Sequence, residues 1–159
     1  MKTLIKNALL VTMNPERQIL NGDLLIVDDR IKEIHSRIAT SADRIIDARG
    51  RVVIPGFVQA HVHLCQTLFR GQADDLELLD WLNSRILPLE GAHDPESIYY
   101  SSLLGIGEMF RNGTTSIIDM ASVNYTDSVF QAILESGIRA MSGKCMIDQG
   151  EFVPDSMME

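Results

Sequence analysis

The chain has 159 residues and a formal net charge of −8, and its composition is 45% hydrophobic and 23% charged. This balance is typical of a globular protein and is too apolar for a disordered one. The acidic charge argues against a nucleic-acid polymer or an anionic membrane as partner, whereas a small nucleobase or nucleoside needs no basic surface. No apolar run approaches the ~18 residues needed to cross a bilayer.

The chain contains only two cysteines, Cys65 and Cys145, and they lack Cys-x-x-Cys spacing. We therefore expect no disulfide framework and a reducing, cytoplasmic compartment. Cys65 lies two residues after His63, which leaves open a role as a metal ligand. A buried, small apolar residue is the alternative, and the usual role of a free cysteine.

Residues 1–55 are predicted to form a small β-sandwich module, because short runs rich in branched aliphatic residues alternate with turn signals. The predicted strands cover residues 4–12, 23–27, 30–35 and 44–46. The turn signals are the dipeptides Asn21-Gly22 and Asp28-Asp29.

From residue 56 the pattern changes to alternating strands and helices, which is typical of a parallel α/β protein. An apolar run covers residues 52–58, and further strands are predicted over 114–119 and 139–145. Helices are predicted over 76–86 after Asp75, after Asp94, and from Thr126 or Asp127. Their predicted apolar faces comprise Leu78, Leu79, Leu82, Ile86, Tyr99, Leu103, Ile106, Phe110, Val129, Phe130, Ile133 and Leu134. The last residues, 148–159, lack a companion element and are expected to fray.

The most informative motif is His61-Val62-His63, which follows the apolar run. Alternate side chains of a strand lie on the same face, so the two imidazoles are expected to point the same way and to converge on one ion. Neutral imidazole is a common ligand of zinc-like ions, although two exposed strand histidines would give the same pattern.

The surrounding residues 46–63, IDARGRVVIPGFVQAHVH, resemble the first barrel strand of the amidohydrolase superfamily. The resemblance implies a metal-dependent (β/α)₈ barrel in which His61 and His63 hold one divalent ion, zinc or iron, together with ligands from later strands. Such a barrel typically needs ~250 residues. The other two histidines, His35 and His93, are expected to be exposed to solvent.

The chain is therefore expected to be an N-terminal third: residues 1–55 form the β module, and residues 56–159 form the first three βα units of a truncated barrel. The general acid and base groups are expected beyond residue 159, so the segment alone is expected to be inactive. We also expect the full-length enzyme to form a homo-oligomer.

Residues 66–90 are similar to the methylthioadenosine/S-adenosylhomocysteine deaminase branch of that superfamily. The similarity implies that Glu90 accepts hydrogen bonds from ribose hydroxyls and that Trp81 packs beside the substrate. A solvated charge at Glu90 and core packing of Trp81 remain the alternatives. Gln66 stands where that branch usually carries methionine, and is similar instead to guanine deaminases and triazine chlorohydrolases.

The segment 143–148 also resembles guanine deaminases, which implies a substrate role for Lys144 at the end of a predicted strand. An ion pair of Lys144 with Asp119 or Asp148 is the alternative. For Asp119 itself, hydrogen bonding to neighbouring loop amides is the expected role.

The implied activity is hydrolytic deamination of a purine, a nucleoside or a related amino-heteroaromatic by a metal-activated water. A triazine-type chlorohydrolase is the alternative within the superfamily. A catalytically silent fragment or interaction module that retains half of a metal site is the alternative from a different class.

Overall fold

The computed structural model describes residues 1–158. The chain forms two compact units, residues 1–55 and the part from Gly56 onward. Among the described residues, no helix combines the length and the apolarity that crossing a membrane requires.

The first unit contains one five-stranded sheet. Its strands are β1 (Lys2–Val11), β2 (Ile19–Val27), β3 (Arg30–His35), β4 (Arg44–Asp47) and β5 (Val52–Val53). The strand β1 is central, because it pairs antiparallel with β2 and parallel with both β4 and β5. Apolar side chains of β1 and β2 form its buried core, among them Leu4, Ala8, Leu10, Leu24 and Leu25. A sandwich arrangement of this unit stays a prediction.

The dipeptide Asn21-Gly22 lies inside β2, so the turn predicted there is wrong. A Cβ atom at Gly22 would stand 2.4 Å from the backbone carbonyl oxygen of His35 on the neighbouring strand. Glycine is therefore needed for the close approach of two backbones rather than for a turn. The turn predicted at Asp28-Asp29 is confirmed.

Asp23 is the buried carboxylate of this unit, with 2% of its surface exposed. Its two oxygens accept hydrogen bonds from the amides of Asn7 and Ile38 at 3.0 and 2.9 Å. Asn7 has a φ of 60°, which places it in a bulge of β1 and turns its amide toward Asp23. Burial raises the pKa of Asp23, but the two amides together with the nearby charges of Lys6 and Arg37 outweigh it, and the pKa lies below its ordinary value.

Asp23→Asn is expected to lower the free energy of unfolding by about 1–3 kcal/mol at neutral pH, because one amide loses its charged acceptor. A depressed pKa in the folded state contributes stability above the ordinary value of 3.8, and that stability is lost as the pH falls through the folded pKa. The deficit of the variant should therefore shrink in acid, as measured by denaturant unfolding at several pH values. The exposed Asp29→Asn is the control, and a deficit independent of pH would contradict this role.

The second unit is built on a three-stranded parallel sheet. Its strands, in spatial and chain order, are β6 (Phe57–Val62), β7 (Thr114–Met120) and β8 (Arg139–Gly143). Two long helices, α3 (Pro95–Arg111) and α4 (Thr126–Ser136), connect successive strands and pack on the sheet. The shared core comprises Val62, Leu64, Ile98, Ile106, Ala121, Val129, Ala132 and Ile138, together with Ile117 of β7. Closure of these units into an eight-stranded barrel stays a prediction.

The strand β7 shows which face of this sheet is covered. Ile117 and Asp119 are each 3% exposed, whereas the alternating residues Ile118 and Met120 are 44% and 53% exposed. Because alternate residues share a face, the helices cover one side of the sheet, and the other side is open in the described part of the chain.

The helix predicted over 76–86 has different bounds. It begins as α1 (Leu78–Trp81), continues through a π-helical turn (Leu82–Ile86) and ends as α2 (Leu87–Gly91), so it runs past Pro88. Pro88 has no amide hydrogen for the Ser84 carbonyl, which instead accepts from the Arg85 guanidinium at 3.2 Å. Asp75 is not the N-cap, because Glu77 precedes the first helical residue.

The predicted helix faces are confirmed only in part. Ile86 is buried as expected, but Leu78 and Leu79 are exposed, because α1 begins only there and no described element covers its first turn. On α4 the buried side follows Val129 and Ala132, so Leu134 points away from the core and is exposed. Phe110 and Phe130 are also partly exposed at the edges of their helices.

The helix α3 begins as predicted. Asp94 and Ser97 form a reciprocal capping box, and Pro95 occupies the first turn. A Cβ atom at Gly105 would lie 2.6 Å from the hydroxyl oxygen of Thr67, so this glycine allows α3 to approach the segment that follows β6.

The expectation that residues 148–159 lack a companion element is wrong at Met157, whereas the fraying of the exposed residues 148–152 stays a prediction and Glu159 lies outside the described residues. Met157 in a short 3₁₀ turn is 2% exposed and packs with Leu87 of α2 and Val123. The missing companion is therefore supplied by tertiary packing that chain order does not reveal.

Candidate metal and substrate site

His61 and His63 lie at the carboxyl end of β6 with their rings turned toward one point. Their Nε2 atoms are 3.1 Å apart, and the ring planes cross at 84°. One ion at about 2.0–2.1 Å from both nitrogens in tetrahedral geometry would separate them by about 3.3 Å. The pair therefore fits two ligands of a single ion, as the alternation of strand side chains predicted.

The backbone of β7 orients the His63 ring. Its Nδ1 atom lies 3.1 Å from the carbonyl oxygen of Met120, which can only accept a hydrogen bond, so Nδ1 carries the hydrogen. The Nε2 atom of a neutral His63 is then left with its lone pair for a metal.

Asp119 braces the backbone directly after His63. Its Oδ1 accepts from the Leu64 amide at 2.9 Å, as expected for a loop-bonding role, and its Oδ2 accepts from the Ser142 hydroxyl at 2.7 Å. Burial raises the pKa of Asp119 above its ordinary value, although both hydrogen bonds and the nearby His63 oppose the rise. The ends of all three strands thus meet beside the histidine pair.

The described residues contain no group of three or more His, Cys, Asp or Glu side chains able to hold a metal. Cys65 does not complete the pair, because its thiol is fully buried and points to the Glu90 carboxylate at 3.6 Å. Burial, with smaller contributions from Glu90 and Asp119, raises the pKa of the Cys65 thiol well above its ordinary range. A protonated thiol is a poor ligand, so this chain supplies two imidazoles and no more from the described part.

Gln66 and Glu90 form the second feature of the site. The Gln66 side-chain amide donates to Glu90 Oε1 at 2.7 Å, and both side chains are half-buried. Gln66 belongs to a 3₁₀ helix (Leu64–Phe69, the His63 turn), whereas Glu90 lies on α2. The structure therefore brings two predicted substrate-binding residues into direct contact, and Glu90 is not a freely solvated charge.

Trp81 and Lys144 come from two further segments of the chain. Trp81 is the half-buried last residue of α1. Lys144 follows β8 and lines a recess with Asn124, Tyr125 and Asp127. Their roles toward a substrate stay predictions, as do those of Gln66 and Glu90.

A recess beside the histidine pair is bordered by an ion pair that the sequence did not predict. The guanidinium of Arg70 meets the carboxylate of Glu108 through two hydrogen bonds of 2.9 and 2.6 Å. Both groups line the same recess as His61, His63 and Gln66. The bond ties the segment after the His63 turn to α3.

His93 is not solvent-exposed, so that prediction is wrong. Its ring is half-buried and stacks on Phe69 with 4.9 Å between ring centres. Its two nitrogens lie 2.8 Å from the Ser97 hydroxyl and 2.9 Å from the Cys65 carbonyl oxygen. The spacing of four between His93 and Ser97 was the available sequence signal. His35, by contrast, is exposed as predicted.

The sequence matches curated relatives along most of its length. It is 46% identical over 138 residues to a 5'-deoxyadenosine deaminase of Methanosarcina barkeri, which covers 86% of this chain and 32% of the relative. It is 42% identical over 146 residues to a 5-methylthioadenosine/S-adenosylhomocysteine deaminase of Caldicellulosiruptor saccharolyticus, with coverage of 89% and 34%. The chain spans about a third of the length of these relatives.

The fold also matches solved structures. An atrazine chlorohydrolase of Arthrobacter aurescens TC1 complexed with zinc superposes with a TM-score of 0.86 at 22% identity, covering 98% of this chain and 39% of that one. A guanine deaminase of C. acetobutylicum with bound guanine gives 0.85 at 26% identity, covering 100% and 39%.

A comparison with protein-family models points to the same family as the curated relatives, the solved structures and the histidine pair of β6. Residues 52–158, which include the whole second unit in its described part, match the amidohydrolase family model. The resemblance inferred from residues 46–90 is thereby confirmed, and the chain belongs to the amidohydrolase family.

Proposed function

We propose that the chain supplies the first part of a metal-dependent aminohydrolase that removes ammonia from a purine, nucleoside or related amino-heteroaromatic. The observation that carries this proposal is the convergence of the His61 and His63 Nε2 atoms beside the Gln66–Glu90 contact. The deaminase names of the relatives support it. Because the chain spans about a third of those relatives, activity is proposed for a longer polypeptide containing it, called the full-length protein here.

The two imidazoles fit one divalent ion, and we propose zinc, with iron as the alternative. When bound, such an ion lowers the pKa of a coordinated water enough to make a nucleophile available near neutral pH. His61 and His63 would hold the ion through Nε2, and the contact of His63 Nδ1 with the Met120 carbonyl oxygen favours the tautomer that leaves Nε2 free to do so. Proton transfer to the ring and to the leaving ammonia falls to groups outside the described residues.

Substrate recognition is proposed for the side chains around the His63 turn. Glu90 presents a carboxylate suited to the neighbouring hydroxyls of a ribose, because its oxygens accept and do not donate. Gln66 holds one of those oxygens and can also present its own amide oxygen to a heteroaromatic ring edge. Trp81 and Lys144 are proposed to contribute from α1 and from the end of β8.

A triazine-type chlorohydrolase is the second candidate, suggested by the similarity of Gln66 to triazine chlorohydrolases, and an atrazine chlorohydrolase shares the fold. At 22% identity that match supports the fold alone, whereas the relatives above 40% identity are deaminases. The two candidates differ in the leaving group. Chloride release from a chlorotriazine without ammonia release from any amino-heteroaromatic would favour the second.

The test of the proposal is ammonia release by the metal-loaded full-length protein. The panel comprises adenosine-type nucleosides, guanine and amino-triazines, and at least one member is expected to be turned over. If no member of the panel released ammonia or chloride, a catalytically silent fragment or interaction module would be the better explanation.

Glu90→Gln is expected to cost nucleosides about 1–3 kcal/mol of transition-state stabilisation, measured as a lower kcat/KM. The kcat/KM for free bases should be nearly unchanged, because only the ribose loses its charged acceptor. The measurement compares both substrate classes on the same preparation of variant. Glu96→Gln, an exposed position in the first turn of α3, is the matched control. Equal losses for nucleosides and free bases would remove the ribose role from Glu90.

A further inference from the structure

The His93 ring joins two parts of the second unit that are distant in sequence. It lies between α2 and α3, yet its Nε2 atom contacts the carbonyl oxygen of Cys65, 28 residues earlier. Phe69, at the other end of the His63 turn, stacks on the same ring. One side chain therefore contacts both ends of the turn that begins directly after a metal-ligand candidate.

The chemistry of the acceptor fixes the direction of this hydrogen bond. A backbone carbonyl only accepts, so Nε2 carries the hydrogen. The other nitrogen faces the Ser97 hydroxyl, which can either donate or accept. The contact to Cys65 is therefore available to both the neutral and the cationic imidazole.

A second donor supports the same stretch of backbone. The Ser101 hydroxyl, on a residue with no exposed surface, lies 2.9 Å from the Leu64 carbonyl oxygen and 3.0 Å from that of Cys65. The His63 turn is a 3₁₀ helix, whose internal hydrogen bonds have poor geometry. External donors from α3 and its leading histidine thus hold carbonyl groups that the turn itself holds weakly.

Gln66 is attached directly to the carbonyl group that His93 holds. The peptide plane between Cys65 and Gln66 sets the direction in which the Gln66 side chain leaves the backbone, and that side chain reaches Glu90 at 2.7 Å. The histidine pair is secured separately, through Met120 and Asp119. Loss of the His93 contact should therefore disturb the Gln66–Glu90 pair more than the metal ligands.

We propose that His93 is a positioning residue that orders the His63 turn through the Cys65 carbonyl and thereby places Gln66 and Glu90 for substrate binding. The part concerning substrate rests on the proposed function. The ordering of the turn does not, and it has its own measurement.

Two substitutions separate the hydrogen bond from the ring. His93→Phe keeps a ring to stack on Phe69 and removes the donor, whereas His93→Gln loses the ring and keeps an N–H that can reach the Cys65 carbonyl. Both are made in the full-length protein with Cys145→Ser, which leaves Cys65 as the only thiol of residues 1–159, and alkylation is measured by mass spectrometry on the peptide that contains Cys65. Because Cys65 is fully buried, its alkylation by iodoacetamide reports local opening of the turn.

His93→Phe is expected to raise the alkylation rate of Cys65 about tenfold, the equivalent of one lost hydrogen bond, and His93→Gln is expected to restore it. On the metal-loaded protein, His93→Phe should raise KM by a similar factor, about tenfold, with metal content and kcat little changed. The KM should return toward the wild-type value in His93→Gln.

Wild-type alkylation in His93→Phe would overturn the proposal. Equal impairment of both variants would also overturn it, because the donor retained in His93→Gln would then give the turn no protection. If no protein, wild type included, releases ammonia from the panel, the proposed function fails. The alkylation rates still decide whether His93 orders the turn.

Discussion

Replacing both His61 and His63 with alanine is expected to remove bound metal and hydrolysis together from the full-length protein. The two Nε2 atoms lie 3.1 Å apart and point to one position, so their loss removes two ligands of the same ion. A site with its remaining ligands on other strands would retain the ion only weakly. Elemental analysis after dialysis and ammonia release on the same sample measure the two losses.

The control for this pair is His35→Ala, which removes an exposed imidazole in the other unit. That variant should keep both its metal and its turnover. Full metal occupancy in the double alanine variant would contradict the assignment of His61 and His63 as ligands, whatever the rate of ammonia release.

A polypeptide of residues 1–159 alone is expected to show no turnover, to bind zinc far more weakly than the full-length protein, and to self-associate. Two protein ligands leave about half of the coordination of a tetrahedral ion to water. Val58 and Met141 on the parallel sheet are 69% and 70% exposed, and β6 and β8 each pair only with β7 among the described residues. Apolar sheet surface and unpaired strand edges both favour association between copies.

Chelator competition measures the zinc affinity, and light scattering after gel filtration measures the size distribution. Met141→Lys should raise the monomer fraction, because it places a charge on the open side of the sheet. Leu134→Lys, at an 80% exposed position on α4, is the matched control and should have little effect. A monodisperse, cooperatively unfolding monomer with deaminase turnover would refute the expectation.

Local rules predicted the parts of the site that depend on one element. The period of two in a strand was sufficient to place the His61 and His63 rings together. The capping signals of Asp94 and Pro95 likewise gave the start of α3. Both patterns depend on interactions within a few residues, so they do not depend on how the rest of the chain folds.

Local rules could not predict the contacts between elements that are far apart in the sequence. Gln66 and Glu90 are 24 residues apart, and their hydrogen bond depends on the helix continuing through Pro88, which sequence patterns predict as a stop. Arg85 compensates for the missing amide hydrogen. The role of His93 was missed for the same reason, since both its stacking partner and its main acceptor belong to another segment.

The anchor of His63 is a main-chain atom, and this makes it insensitive to amino-acid replacement. Any residue at position 120 carries the same carbonyl oxygen, so a saturation library there would vary the pocket wall while leaving the ring in register. A neutral carbonyl is a weaker hydrogen-bond acceptor than a carboxylate, so it raises the basicity of the imidazole less. The ring is therefore a weaker electron donor than it would be with a carboxylate partner. A cation held by such a ring would retain more of its charge and would polarise a bound substrate or water more strongly.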